Sequence, residues 1–218
     1  MPKLKELLSE FTGTCFLLMI VVGSGIMGQN LSEQNILILL GNTIATGTGL
    51  MVLIWIFMQS SGSHFNPAVS FIFYLSKEIT SLQLTSYILV QIIGALTGVV
   101  LAHYMFNLDL FQLSGNYRSG INIYFAESVA TFGLILTILR VKELNQFLVA
   151  PAVGLYITAG YWFTSSTSFA NPAVTIARSF TDTFTGINLD NVIFFIAFQF
   201  IGATLALGLN KLIEESKT

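Results

Sequence analysis

The sequence predicts an all-α membrane protein of six transmembrane helices and two half-helices in an inverted repeat, and three observations support this. Of its 218 residues, 54% are hydrophobic and only 9% are charged, whereas a soluble domain carries about 25% charged residues. Long apolar segments follow one another along the whole chain. The tetrapeptide Asn-Pro-Ala-Val occurs twice, each time opening an apolar segment too short to cross a bilayer.

Six apolar segments are each near or above the ~20 residues that a helix needs to cross a ~30 Å hydrocarbon core. Backbone groups in lipid need internal hydrogen-bond partners, and the segments lack the two-residue alternation of a barrel strand, so we expect helices. The first segment resembles a signal peptide, but Glu10 and the lack of an Ala-x-Ala site favour a retained span. The predicted spans are 6–28, 34–59, 80–106, 121–139, 145–165 and 188–212.

Two shorter apolar segments, 66–76 and 171–181, would each be roughly 15 Å long as helices, about half a bilayer. Asparagine is a favourable N-cap, and proline fits the first helical position because no hydrogen-bond donor is lost there. One Asn-Pro-Ala would indicate little more than a helix start, but here two copies occupy matching places in the chain. The motif residues are Asn66, Pro67, Ala68, Asn171, Pro172 and Ala173.

The chain repeats itself within a single domain, 1–218, with repeats at about 1–110 and 118–218. Three full spans in each half require the second copy to be inverted in the membrane, and inverted repeats place functional sites near the midplane. The two half-helices then meet by their N-termini, each with about half a positive charge. The matching residues are Glu10 and Glu127, Gln91 and Gln199, Gly94 and Gly202, and Ala95 and Ala203.

This arrangement predicts a pore. Asn66 and Asn171 can cap their own helices through the side-chain oxygen and still present amide donors to the lumen. The backbone carbonyls of 61–65 and 164–170 would form the acceptor side, since irregular backbone is tolerated where it lines a wet cavity. Neutral molecules can accept these hydrogen bonds, whereas a cation meets a positive potential and a proton wire is disrupted.

The sequence resembles the major intrinsic protein family of aquaporins and aquaglyceroporins over essentially its whole length. This resemblance implies a homotetramer with a pore in every subunit and passive conduction of water, glycerol, urea or similar solutes. It rests on Ser63-His64-Phe65-Asn66-Pro67-Ala68-Val69, Asn171-Pro172-Ala173, Glu10-x-x-Gly13-Thr14 and the two Gln-x-x-Gly-Ala pairs.

One position departs from the family pattern, which has arginine three residues after the second motif asparagine; here it is Val174. We expect a wider, less charged filter that favours solutes larger than water. Neutral polyhydroxides of metalloids, such as arsenite, and methylated arsenicals fall in this class. The other predicted filter positions are Thr46, Ser168 and, in the fifth span, one of Ala159, Gly160 and Tyr161.

Arg178 complicates this prediction because it lies four residues beyond Val174 and shares its helix face. It reaches back toward the filter, which would then be narrower, or it is a vestibule charge. The alternative is a solvated residue at the helix end near Asp182.

Four further residues are predicted to line or support the pore. Glu10 and Glu127 are acidic groups at matching places in spans, where we expect them to accept hydrogen bonds from the loops before the half-helices rather than to relay protons. His64 and Phe65 directly precede the first motif, so we expect them at the pore.

The basic residues predict the orientation. With a cytoplasmic N-terminus, only Arg118 and Arg178 lie outside, and both termini are cytoplasmic. We expect an integral protein of a bacterial inner membrane. The inward residues are Lys3, Lys5, Lys77, Arg140, Lys142, Lys211 and Lys217.

The sequence offers no catalytic triad, metal-ligand spacing or phosphate-binding glycine loop, so we expect neither an enzyme nor a cofactor or metal. A net charge of -2 gives no reason to expect nucleic acid as a partner; the expected partners are small neutral solutes, lipid and further copies of the chain. Three alternatives stay open: a water-selective aquaporin, a non-conducting scaffold on the same fold, and an ion-coupled transporter.

Overall fold

The computed structural model describes residues 2–216, which form eight α-helices and two short 3-10 helices without a strand. The predicted all-α fold, with full-length helices and two half-helices, is confirmed. Lys217, one of the predicted inward lysines, lies outside the described residues. The α-helices are α1 Leu4–Leu31, α2 Asn35–Ser61, α3 Pro67–Leu75, α4 Ser81–Met105, α5 Ile121–Leu144, α6 Val149–Phe163, α7 Pro172–Ala177 and α8 Leu189–Glu215; the 3-10 helices are Gln146–Leu148 and Arg178–Phe180.

Among the described residues, five helices are long and apolar enough to cross a membrane: α1, α2, α4, α5 and α8. The fifth predicted span, 145–165, is shorter than expected, because α6 has only 15 residues. The side chain of Asn145 accepts a hydrogen bond from Phe147 N and starts a 3-10 turn before the α-helix begins. The helix ends where Thr164 adopts an extended conformation and leads into the loop before α7.

The long helices pack in matching pairs, α1 on α4 and α5 on α8, and α2 packs on α6. A Cβ atom on Gly94 would lie 2.5 Å from the carbonyl oxygen of Phe11, so only glycine allows α1 and α4 to approach this closely. Gly202 of α8 faces the carbonyl of Ser128 in α5 in the same way. Small residues at such contacts are typical of membrane helices, which have no hydrophobic force between them in lipid.

The half-helices α3 and α7 start at the two Asn-Pro motifs. Asn66 caps α3 by accepting a hydrogen bond from Ala68 N at 2.8 Å, and Asn171 caps α7 by accepting from Ala173 N at 3.0 Å. A proline occupies the first turn of each helix. Each half-helix contacts α4 or α8 from the opposite half as well as its own, and the two contact each other. This packing fixes both motifs in the centre of the bundle.

Candidate pore and selectivity filter

The loops that precede α3 and α7 have a backbone conformation that non-glycine residues rarely adopt. Ser63 and Phe65 have φ of 54° and 49°, and Ser168 and Ala170, which occupy the matching positions, have φ of 52° and 47°. Left-handed conformations of this kind are unfavourable unless the surroundings hold them in place. In both loops the surroundings include a buried carboxylate.

Glu10 holds the first loop. One carboxylate oxygen, Oε1, accepts from His64 N at 2.9 Å and from the Ser61 hydroxyl at 2.7 Å. The other, Oε2, accepts from Phe65 N at 2.7 Å and from the Gln91 amide at 2.8 Å. Glu10 is completely buried, so these hydrogen bonds take the place of its lost hydration.

Glu127 holds the second loop through the same set of contacts. Its two oxygens accept from Phe169 N and Ala170 N, both at 2.9 Å, and Oε2 also accepts from the Gln199 amide at 2.6 Å. The Gln199 amide also donates to the Thr175 hydroxyl, just as the Gln91 amide donates to the Ser70 hydroxyl in α3. Glu127 thus accepts hydrogen bonds from the loop before α7, the contacts that the sequence analysis expected of it.

The two motif asparagines are joined across the repeat. The Asn66 side-chain amide donates to the Ala170 carbonyl at 2.7 Å, and the Asn171 amide donates to the Phe65 carbonyl at 2.8 Å. Each asparagine therefore caps its own helix and holds the loop of the other half. The sequence predicted that these amides present donors to the lumen, and it gave no sign of the hydrogen bonds between the two halves. Each NH₂ group has a second N–H, and both asparagines line the central cavity.

That cavity, of about 380 Å³, runs past both motifs and is bounded by Arg178 at one mouth and by Glu78 and Lys142 at the other. We call these ends the Arg178 mouth and the Lys142 mouth. The helices line the cavity with side chains four residues apart, which share one helix face. The row on α2 is Thr46, Leu50, Ile54 and Met58.

The matching row on α6 corrects the prediction for the fifth span. Tyr161 lines the cavity, but Ala159 is exposed on the outside of the bundle, and Gly160 packs behind Ser168. Successive helical residues are about 100° apart, so only one of these three neighbours can face the lumen. The whole row on α6 consists of Val149, Val153, Ile157 and Tyr161. The sequence analysis missed the first three, although their four-residue spacing was visible.

The remaining predicted filter residues all line the cavity near the Arg178 mouth. The Tyr161 hydroxyl donates to Thr46 Oγ1 at 3.3 Å and so joins α6 to α2. Ser168 Oγ is buried against Gly160 and has no hydrogen-bond partner in the described part of the chain. Val174 contributes an apolar surface from α7.

Arg178 is buried and lines the same mouth, so it is not the solvated residue that one interpretation of the sequence expected. Its Nε donates to the carbonyl of Thr185, and its guanidinium carbon lies 3.4 Å from the centroid of the Phe169 ring. Asp182 does not pair with it but accepts a hydrogen bond from Gly115 N.

The Lys142 mouth has a different composition. Lys142 forms an ion pair with Glu78, and its Nζ lies 4.6 Å from the centroid of the Phe73 ring. His64, as predicted for a residue beside the first motif, lines this part of the cavity; its Nδ1 lies 3.0 Å from the Ser70 hydroxyl. Charged side chains thus occur at both mouths, and the uncharged asparagines lie between them.

Apolar spans, two half-helices that meet in the centre, and a cavity that passes them define the class of protein, an integral membrane channel for small solutes. Comparison with known proteins agrees. The family model described as "Major intrinsic protein" matches residues 1–146. The aquaglyceroporin AqpS of Rhizobium meliloti (strain 1021) is 47% identical over 205 residues, which cover 94% of this chain and 88% of that protein. The chain belongs to the major intrinsic protein family.

Two further comparisons agree with this assignment. Nodulin-26 of Glycine max is 31% identical over 149 residues, or 66% of this chain and 54% of that protein, so the match spans about half of the plant relative. The X-ray structure of the aquaglyceroporin from Plasmodium falciparum aligns with a TM-score of 0.75 and 21% identity, covering 94% of this chain and 93% of that one. This likeness concerns the fold alone.

Proposed function

We propose that the protein is a passive channel for small uncharged solutes, with glycerol and urea as the simplest examples and water as a further permeant. Metalloid hydroxides such as arsenite and methylated arsenicals belong to the same proposal, because neutral polyhydroxides resemble glycerol in shape and hydrogen bonding. The solutes would pass between the Asn66 and Asn171 motifs, whose free amide N–H groups serve as donors at the midpoint.

The observation behind this proposal is the central cavity. It extends from the Arg178 mouth to the Lys142 mouth, and its middle is lined by apolar side chains and two uncharged asparagines. An ion that loses its hydration there would gain no opposite charge in return, at a cost of several kcal/mol. A neutral polyol loses less, because the asparagine amides replace part of its hydration.

The residues that line the filter are an argument for permeants larger than water. Val174 occupies the position at which the family pattern has arginine, and the hydroxyl-bearing residues Thr46, Tyr161 and Ser168 line the same mouth. Hydroxyl groups both donate and accept hydrogen bonds, as polyols do. The likeness to a protein named an aquaglyceroporin is in line with this choice of substrate.

Tyr161 and Arg178 favour a second candidate, a water-selective aquaporin. Both side chains are buried at the same mouth, and together they restore some of the bulk and the charge that Val174 removes. Tyr161 is also held in place by its hydrogen bond to Thr46. The two candidates differ in whether glycerol passes.

The proposal includes the arrangement of the chain in the membrane. We infer one channel domain with repeats at about 1–110 and 118–218, both termini in the cytoplasm of a bacterial cell, and a homotetramer with a pore in each subunit. Lys142 would then be at the cytoplasmic mouth and Arg178 at the outer one. The matching hydrogen bonds of Glu10 and Glu127 support the repeat.

The experiment is stopped-flow light scattering on proteoliposomes with inward gradients of glycerol, urea and arsenite, beside osmotic water flow. We expect the native protein to pass glycerol and urea well above protein-free liposomes. Asn145→Asp, at a helix cap that lines neither mouth, serves as the matched control and should behave as the native protein does. Water flow without glycerol flow would contradict the aquaglyceroporin proposal and support the water-selective one.

A further inference from the structure

A second cavity, of about 340 Å³, lies beside the Arg178 mouth, and two arginines line it. Arg178 and Tyr161 line both this cavity and the central one, so the two spaces share a wall. Arg118, from the segment between α4 and α5, is the second arginine. We call this space the arginine vestibule. The channel mechanism proposed above uses Val174 and the hydroxyls of the filter, and it assigns nothing to Arg118.

Both guanidinium groups are fixed by backbone carbonyls of one loop, 184–186. Arg118 donates through Nε to Gly186 O at 2.8 Å and through Nη2 to Phe184 O at 3.2 Å, while Arg178 donates through Nε to Thr185 O. Both guanidinium carbons lie within 5.2 Å of the centroid of the Phe169 ring. The loop and the ring therefore hold two like charges close together.

These charges lack an acid of their own. Within residues 2–216, neither Arg118 nor Arg178 belongs to an ion pair. The carboxylate that acts on both is Glu127, which already accepts hydrogen bonds from Phe169 N, Ala170 N and Gln199. One carboxylate against two guanidinium groups leaves an excess positive charge.

Burial lowers the pKa of the Arg118 guanidinium, but an arginine stays protonated in proteins. The terminal N–H groups of Arg178 make no hydrogen bond to any described residue, and they are not enclosed, so they reach the cavity although the residue as a whole is only 3% exposed. A charged donor that reaches a cavity can bond to an anion there. A buried, positively charged and incompletely bonded group that faces a cavity is what a bound anion would satisfy.

We propose that the arginine vestibule binds a tetrahedral oxyanion of the sulfate or phosphate class between Arg118 and Arg178. The planar guanidinium presents N–H pairs that match two oxygens of such an anion and bond to it more strongly than to a neutral acceptor. Asn35, Asn42 and Thr167 supply a polar wall to the same cavity.

Occupancy of the vestibule also lowers solute flux, a consequence that rests on the proposed channel function. An anion bound at Arg178 lies at the entrance to the central cavity, because the same side chain bounds both spaces. A polyol entering from that mouth would have to pass the bound anion and its hydration. The vestibule thus makes the channel sensitive to the oxyanions of the medium.

The binding test measures thermal unfolding of the purified full-length protein in detergent against sodium sulfate, with sodium chloride of the same ionic strength as reference. A ligand that binds only the folded state raises the melting temperature in proportion to the logarithm of its concentration once that concentration exceeds its Kd. We expect this for sulfate and phosphate and not for chloride. Equal stabilisation by chloride at each ionic strength would mean general screening and would overturn the proposal.

Two variants locate the site. Arg118→Gln should raise the sulfate Kd derived from this curve about tenfold, since it removes charge-assisted hydrogen bonds. Because Arg118 also anchors its loop, that variant could fail to fold, and Asn35→Asp then carries the test. It adds a carboxylate to the vestibule at the N-terminus of α2, where a negative charge favours the helix. Asn145→Asp makes the same change elsewhere and should bind sulfate as the native protein does.

If Asn35→Asp binds sulfate as tightly as Asn145→Asp, the vestibule is not the site. The flux test adds sulfate to the Arg178 side of proteoliposomes during glycerol uptake, and we expect slower uptake that Asn35→Asp relieves. Unchanged uptake at saturating sulfate would overturn the claim about flux. A protein that binds sulfate but passes no glycerol would contradict the proposed function and leave the anion site standing, so the two failures are distinguishable.

Discussion

The loops before α3 and α7 have the same scaffold but different side chains at their mouths. In each loop a buried glutamate accepts two backbone N–H groups, and a glutamine from α4 or α8 completes its hydrogen bonds. The first of the two donating residues along the chain is His64 in one loop and Phe169 in the other. The His64 ring meets Ser70 and Phe73, whereas the Phe169 ring lies against the Arg178 guanidinium.

The backbone of the pore and the selectivity of its mouths are therefore separable. The glutamates hold the two asparagines at the centre, and this requirement is equal in both halves. The side chains of His64 and Phe169, whose backbone N–H groups donate to the two glutamates, lie toward the mouths. There the two halves can differ without disturbing the centre.

The largest effect is expected from Glu10→Gln and Glu127→Gln. In each variant an NH₂ group would face backbone donors, leaving at least one buried N–H unsatisfied at about 1–3 kcal/mol and releasing a left-handed loop. We expect both variants to lose most of their glycerol flux and to yield less monodisperse protein, to a similar degree. Normal flux in one variant and loss in the other would contradict the shared scaffold.

Next come the cations of the two mouths. Arg178→Gln removes a buried charge that contacts the Phe169 ring, an interaction of about 2 kcal/mol when desolvated, so we expect a lower melting temperature and a several-fold change in glycerol flux. Lys142→Gln removes a half-exposed ion pair with Glu78, worth about 0–1 kcal/mol. Thermal unfolding and flux assays of both variants check this order, and a larger effect of Lys142→Gln would reverse it.

A smaller effect is expected from Tyr161→Phe, which removes the hydrogen bond to Thr46 and one of the filter hydroxyls, about 1 kcal/mol. We expect glycerol flux to fall by a few-fold while water flow changes little. Tyr156→Phe makes the same substitution on α6 but loses a hydrogen bond to the Ala130 carbonyl away from the cavity. Equal glycerol flux in the two variants would mean that the Tyr161 hydroxyl does not take part in the filter.

Local signals explain what the sequence predicted correctly. Asn66-Pro67 and Asn171-Pro172 carry their own capping chemistry, so both half-helix starts were predictable to the residue. Glu10 and Glu127 were identifiable as acceptors because an acidic residue at matching places in two spans needs a partner nearby.

Contacts between distant segments explain the rest. Which of Ala159, Gly160 and Tyr161 faces the pore depends on the rotation of α6 against α2, and the short loop after α6 gave no reference point. The hydrogen bond from the Asn66 amide to the Ala170 carbonyl joins residues of opposite halves, so the sequence did not predict it. Arg178 could be judged buried only once the carbonyl of Thr185 and the ring of Phe169 were both in place.

If Val174 leaves the filter open to solutes larger than water, the ratio of glycerol to water permeability in proteoliposomes depends on this one side chain. We expect Val174→Arg to lower this ratio by more than about tenfold, because a guanidinium would narrow the mouth and add fixed donors. Val174→Ile, which stays neutral, should keep most of the native ratio. A native ratio as low as that of Val174→Arg, or a ratio that the arginine leaves unchanged, would contradict the account.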